Sequence, residues 1–168
     1  MVDAKDKPTI EMLREIKLLR PFTDAELCQL ISSGSSFSQE AHGNIIVEGE
    51  LSWGLYLIME GTVGIFKNDK LSGSVYDVAQ LREGGFFGEM SILDDSPRSA
   101  TVRAVTNCKL FYLSKQAFQQ FLAVSTGIQL RFYQSCIEDL IHRLRETDDG
   151  FVVSQYQLWR FALKKESA

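Results

Sequence analysis

The residues best suited to chemistry lie in one long stretch between two apolar alternations: Arg82-Glu83-Gly84-Gly85-Phe86-Phe87-Gly88-Glu89-Met90-Ser91-Ile92-Leu93-Asp94-Asp95-Ser96-Pro97-Arg98-Ser99. Turning a corner between strands takes about two to five residues, so this segment does more than turn. Gly88 lets the backbone approach a ligand closely. Glu89 to Leu93, with Met90 and Ser91 in its first turn, can form about one helical turn whose free N–H groups suit an anion. Arg98 returns a guanidinium fork to the same place and Ser99 adds a hydroxyl. Free amides, one arginine and one hydroxyl suit a single phosphate. Glu89 would repel that phosphate unless it accepts hydrogen bonds from hydroxyls on the same ligand, and a ribose phosphate supplies one. Each residue has a plainer role alone: a carboxylate favours a helix N-terminus by about 0.3–1 kcal/mol, and Arg98 could be a surface cation. Together in a glycine-rich segment they favour the ligand.

Positioning such a segment requires a stiff frame on both sides. From Phe37 to Leu113 the pattern is that of short strands, at 44–47, 55–59, 63–66, 75–81, 100–104 and 109–113. Gly43, Gly49, Gly54, Gly61, Gly73 and Gly84 punctuate them, as an antiparallel roll with tight corners requires. Helical periodicity flanks this middle. Ile10, Leu13, Ile16 and Leu19 predict a helix over 9–20, ended by Pro21. Thr23-Asp24 are cap candidates for a second helix, with Leu27, Leu30 and Ile31 buried and Gly34 as its stop. After Ser114 comes a helix over 115–124. Past Gly127, Tyr133, Cys136, Ile137, Leu140, Ile141 and Leu144 form one apolar stripe. Thr147-Asp148-Asp149-Gly150 interrupts it, and the last stretch is either another helix or the same one carried through Gly150 at a cost of roughly 1 kcal/mol. The fold class expected is α+β: an antiparallel, jelly-roll-like β-roll with N-terminal helices and C-terminal hinge or lid helices.

Composition narrows the function. The chain has 168 residues, about one domain by length, with 45% hydrophobic and 24% charged residues, the balance of an ordinary folded protein. With 18 basic against 22 acidic residues the net charge is -4, which gives no broad positive field for nucleic acid or anionic lipid. No apolar run reaches the length of a membrane span, and the charged start lacks the apolar centre of a signal peptide; a cytoplasmic location is the expectation. Cys28, Cys108 and Cys136 read as small buried hydrophobes. His42 and His142 are the only histidines, and neither has ligand-type neighbours at metal spacing, so no metal site and no enzyme is expected.

Phe87-Gly88-Glu89, followed after eight residues by Arg98-Ser99-Ala100-Thr101-Val102-Arg103-Ala104, resembles the phosphate-binding cassette of the cyclic-nucleotide-binding domain family. Upstream, 43–50 and 55–63 are similar to the family's glycine-punctuated strands. The resemblance covers roughly residues 10–148, leaving 1–9 as a tail and 149–168 as a C-terminal extension. It implies that Glu89 accepts from the ribose 2′-hydroxyl and Arg98 pairs with the charged phosphate oxygen, while Ser99 and the Ala100 amide also face the phosphate. Val78 would pack on the base, and Thr147 falls near where family members bring polar side chains to the base edge. Gly85 replaces the family's usual acidic or polar residue before the Phe-Phe pair. Trp53 stands in a loop where family members often carry polar residues; it is a candidate partner contact, with partial packing as its plainer role.

The expected function is a stand-alone sensor of cyclic AMP, with cyclic GMP as the competing ligand, that uses no cofactor and signals by rearranging its C-terminal helices. The alternative is a protein-interaction module that keeps the roll without using its nucleotide site. Too few residues follow Gly150 for a helix-turn-helix module, so no nucleic-acid partner is expected. The apolar stripe predicts a homodimer through the C-terminal helix; the downstream protein partner is unknown.

Overall fold

The structure, a computed structural model, describes residues 7–51, 54–69, 72–94 and 96–166, of which 91, 149 and 151–166 are described by backbone only. Trp53 lies outside the described residues. The chain divides into two compact units, 1–132 and 133–168.

The first unit begins with α1 (Ile10–Glu15), whose N-cap Thr9 accepts from the Met12 N–H. This helix is shorter than its periodicity suggests. Ile16 is extended and a 3-10 turn, Lys17–Leu19, follows; Ile16, Leu18 and Leu19 are all fully buried. The break thus turns three apolar side chains inward together, which one continuous helical face would not do. Pro21 is not what ends α1, since Arg20 before it keeps helical dihedrals. The second helix, α2 (Asp24–Ser33), starts on a capping box between Thr23 and Glu26, and Gly34 is its C-cap, as the sequence predicts.

Among the described residues eight strands follow: β1 (Ser35–Gln39), β2 (Asn44–Ile46), β3 (Gly54–Glu60), β4 (Thr62–Asn68), β5 (Val75–Arg82), β6 (Phe86–Phe87), β7 (Thr101–Ala104) and β8 (Cys108–Ser114). They form two four-stranded antiparallel sheets, ordered β1-β8-β3-β6 and β2-β7-β4-β5. Inward residues of both sheets, including Ile46, Ile58, Val63, Phe87, Val102 and Leu110, share one core, the packing of a β-roll. Gly61 makes the tight β3–β4 corner at φ +97, where an added Cβ would lie 2.5 Å from the Asn107 carbonyl. One turn, α3 (Met90–Leu93), interrupts the link from β6 to β7.

Helical packing closes the first unit. In α4 (Lys115–Leu122), Phe118 and Phe121 are buried, and Phe121 meets Phe22 edge-on at 5.5 Å. The last helix, α5 (Thr126–Glu166), starts beside them: Phe132 meets Phe118 at 4.8 Å. This helix is continuous through Gly150, so Thr147-Asp148-Asp149-Gly150 does not interrupt it. Cys108 and Cys136 are buried, whereas Cys28 is exposed on α2, contrary to its expected burial. No described helix is long and apolar enough to cross a membrane. The second unit is the rest of α5.

Candidate ligand-binding site

Two adjacent strands bring the site together. β6 pairs with β3 in the register Tyr56 to Phe87, and their rings stack at 4.9 Å with planes 2° apart. This fixes Gly88 immediately beyond β6, at φ +89, where a Cβ would lie 2.4 Å from the Gly54 carbonyl and 2.8 Å from Arg98 Nη1. Glycine is required there twice over, by its backbone angle and by the close approach.

Glu89 and Arg98 follow, only 2% and 3% exposed. Glu89 occupies the N-cap position of α3, yet its side chain makes no cap hydrogen bond. Arg98 Nη1 donates to the Gly54 and Gly88 carbonyls, both at 3.3 Å, and Nη2 donates to Gly54 at 3.3 Å. The guanidinium also lies 5.6 Å from the centre of the Tyr56 ring, within cation–π range. Burial pushes Arg98 below its ordinary pKa, against the opposing influence of Tyr56, Tyr112 and Glu89. Burial likewise raises Tyr56, with Arg98 acting against it. An arginine remains charged through such a shift, so the site holds a buried cation beside a buried carboxylate.

The backbone that follows is tied down residue by residue. The Arg98 N–H donates to Glu50 at 3.0 Å, the Gly49 N–H to the Arg98 carbonyl at 2.9 Å, and the Glu48 N–H to Thr101 Oγ1 at 3.0 Å. The Ser99 hydroxyl is 4.0 Å from Met90 Sδ, which closes the loop between α3 and the start of β7. Gly88, Glu89, Met90, Arg98 and Ser99 thus converge, with Ser91 in α3 by its backbone and Ala100 leading into β7. Val78 is on β5, the edge strand of the second sheet, and is 60% exposed. Thr147 belongs to the second unit, where its hydroxyl donates to the Arg143 carbonyl at 2.8 Å.

Sequence reasoning missed Tyr56 and the Gly54 carbonyl. Tyr56 carried a faint signal, an aromatic with a polar tip inside the apolar run Leu55-Tyr56-Leu57. Among the described residues no group of three or more His, Cys, Asp or Glu side chains could hold a metal ion.

An arrangement of positive-φ glycine, buried carboxylate and buried arginine inside an antiparallel roll defines a class of ligand-binding domain, and the comparisons name it. The cyclic nucleotide-binding domain model matches residues 38–125, just over half of the chain, and the chain belongs to that family. It is 31% identical over 121 residues to a cAMP-dependent protein kinase regulatory subunit of Colletotrichum orbiculare, covering 72% of this chain and 30% of that protein. The chain therefore spans about a third or less of the curated relatives it matches first. Among solved structures it is similar to a cyclic nucleotide-binding domain from Methylobacillus flagellatus KT, with TM-score 0.75, 24% identity and coverage of 88% and 89% of the two chains; that likeness shows the fold. The catabolite activator protein of Thermus thermophilus follows at TM-score 0.68 and 27% identity, covering 82% of this chain and 62% of that one.

Proposed function

We propose that the protein is a non-catalytic, cytoplasmic sensor that binds cyclic AMP in the 88–100 cassette and signals through its C-terminal helix. The observation that carries this reading is the burial of Glu89 and Arg98 together beside Gly88. Burying a carboxylate and a guanidinium is costly unless each is satisfied, and a surface role for either would not bury it. In this reading a cyclic phosphate takes the Arg98 guanidinium from the Gly54 and Gly88 carbonyls. Charged acceptors make hydrogen bonds about twice as strong as neutral ones, so the exchange favours binding. The ribose 2′-hydroxyl donates to Glu89, and the Ser99 hydroxyl and Ala100 N–H donate to phosphate oxygens.

Cyclic AMP is preferred over cyclic GMP in this proposal. Ser99 could accept from a guanine amino group in a syn base, but Ala79, paired with Ile65 on β4, offers guanine no side-chain donor. Val78 is apolar and suits either base.

Signalling requires that nucleotide bind one arrangement of the helices better than another. Tyr133, Ile137, Leu140 and Leu144 recur at three- and four-residue spacing on α5 and are exposed, the pattern of a seam between two helices. In this proposal the stripe pairs with a second copy to form a homodimer, and a change in α5 on binding carries the signal.

A thermal melt tests the binding reading. At about 100 times the dissociation constant, cyclic AMP should stabilise the fold by roughly 2.7 kcal/mol, raising the melting temperature by about 5–10 °C. No shift at millimolar nucleotide would remove the proposal. A tenfold preference for cyclic GMP in competition would overturn the choice of base.

A further inference from the structure

The Ser99 carbonyl and the Ala100 amide belong to one peptide plane. A trans peptide points its C=O and N–H in opposite directions, so whatever holds that carbonyl also aims that amide. The described residues contain no cis peptide. The Lys67 ammonium donates to the Ser99 carbonyl. It also pairs with Glu48 Oε1 at 3.1 Å, while Glu48 Oε2 accepts from the Asn68 N–H at 2.9 Å. The Glu48 side chain is 14% exposed and that of Lys67 51%, so a mostly buried carboxylate anchors a half-exposed ammonium.

Lys67 reaches this position from β4. Alternation puts it on the face that carries Val63 and Ile65, whose side chains lie in or against the core of the roll. A lysine on that face needs a reason, because an exposed ion pair by itself adds little to stability. The same device serves the preceding peptide, where the Gly49 N–H holds the Arg98 carbonyl at 2.9 Å and so turns the Ser99 N–H the opposite way.

We infer that Lys67 is a positioning residue for the ligand phosphate: by holding the Ser99 carbonyl, with Glu48 as its anchor, it aims the Ala100 N–H at a phosphate oxygen. The inference rests on the nucleotide-binding reading above. Lys67 acts through the peptide and not by touching the ligand, so its removal alters which phosphate oxygen is favoured as well as the affinity.

The test titrates cyclic AMP and its two exocyclic phosphorothioate diastereomers into the unaltered protein, Lys67→Met and Lys67→Arg. Sulfur accepts hydrogen bonds poorly, so the two diastereomers bind the unaltered protein with different affinities. Lys67→Met should weaken cyclic AMP roughly tenfold and bring the two diastereomers to within about threefold of each other, and Lys67→Arg should restore most of both. If Lys67→Met does not fold, Glu48→Gln, which releases the ammonium without removing it, carries the same expectations. An unchanged affinity and diastereomer ratio in the variant overturns the inference, as does an equal fall for all three ligands, which marks a purely structural role. Failure of the unaltered protein to bind any of the three at millimolar concentration overturns the nucleotide reading itself, and this inference with it.

Discussion

The Arg98 guanidinium lies 5.6 Å from the centre of the Tyr56 ring, and that ring is itself stacked on Phe87 at 4.9 Å. The strand pairing that builds the roll therefore also shelves the cation. A cation–π contact is worth about 0.5–2 kcal/mol depending on desolvation, and here the cation is buried and the ring partly so. Tyr56→Leu should weaken cyclic AMP binding by about three- to tenfold, whereas Tyr56→Phe, which keeps the ring, should stay within about twofold. Equal affinities for Tyr56→Leu and the unaltered protein would show that the ring does not hold Arg98 for the ligand.

Gly88→Ala tests the close approach beside the guanidinium. The residue sits at φ +89 and its new Cβ would meet the Gly54 carbonyl at 2.4 Å, a backbone atom that cannot swing away. Left-handed strain and overpacking each cost about 1–3 kcal/mol. Urea denaturation should show a loss of at least about 2 kcal/mol, with the cyclic AMP effect on the melt abolished. A variant as stable as the parent would mean that β3 and β6 are not packed as described.

Glu26 gives a pH-dependent prediction away from the site. Its carboxylate accepts from the Thr23 N–H at 2.7 Å and pairs with Arg131 at 2.5 Å. Burial alone would raise its pKa, but the Thr23 amide and hydroxyl and the Arg131 guanidinium outweigh that and hold it below the usual value. A depressed carboxylate contributes stability that is present above the unfolded pKa of about 4.3 and is lost as pH falls through the folded value. Glu26→Gln should therefore cost about 1 kcal/mol at pH 7, with the gap closing below about pH 4. A gap that persists at pH 3 would assign the loss to packing.

These variants mark where sequence pattern stops informing. The cassette is legible because Gly88, Glu89 and Arg98 interrupt an alternation that otherwise predicts strands. β1 is not, since Ser35-Ser36-Phe37-Ser38-Gln39 has no apolar alternation and is a strand only because β8 pairs with it. The early end of α1 depends on what Ile16, Leu18 and Leu19 bury together. Sequence pattern leaves open whether α5 persists through Gly150, because a cost of about 1 kcal/mol is small against the rest of a long helix. The roles of Tyr56 and Lys67 are not legible for a different reason. Their contacts with Arg98 and Ser99 come from cross-strand register and long-range packing, which local periodicity does not encode.

The α5 stripe leads to a prediction in solution. Light scattering at tens of micromolar should give a dimer, and hydrogen exchange from Thr147 to Leu163 should change when cyclic AMP is added. A monomer would remove the shared seam, and unchanged exchange would remove the coupling of nucleotide to the tail.

The central claim, that Arg98 and its cassette hold a cyclic mononucleotide, is tested most directly by calorimetric titration of cyclic AMP into the unaltered protein and Arg98→Ala. Charge-assisted hydrogen bonds are worth about 1.5–3 kcal/mol, so the unaltered chain should show one saturable site per chain and the variant an affinity lower by at least about tenfold. No binding heat from the unaltered protein at millimolar cyclic AMP, or equal affinity in the two proteins, would contradict the account.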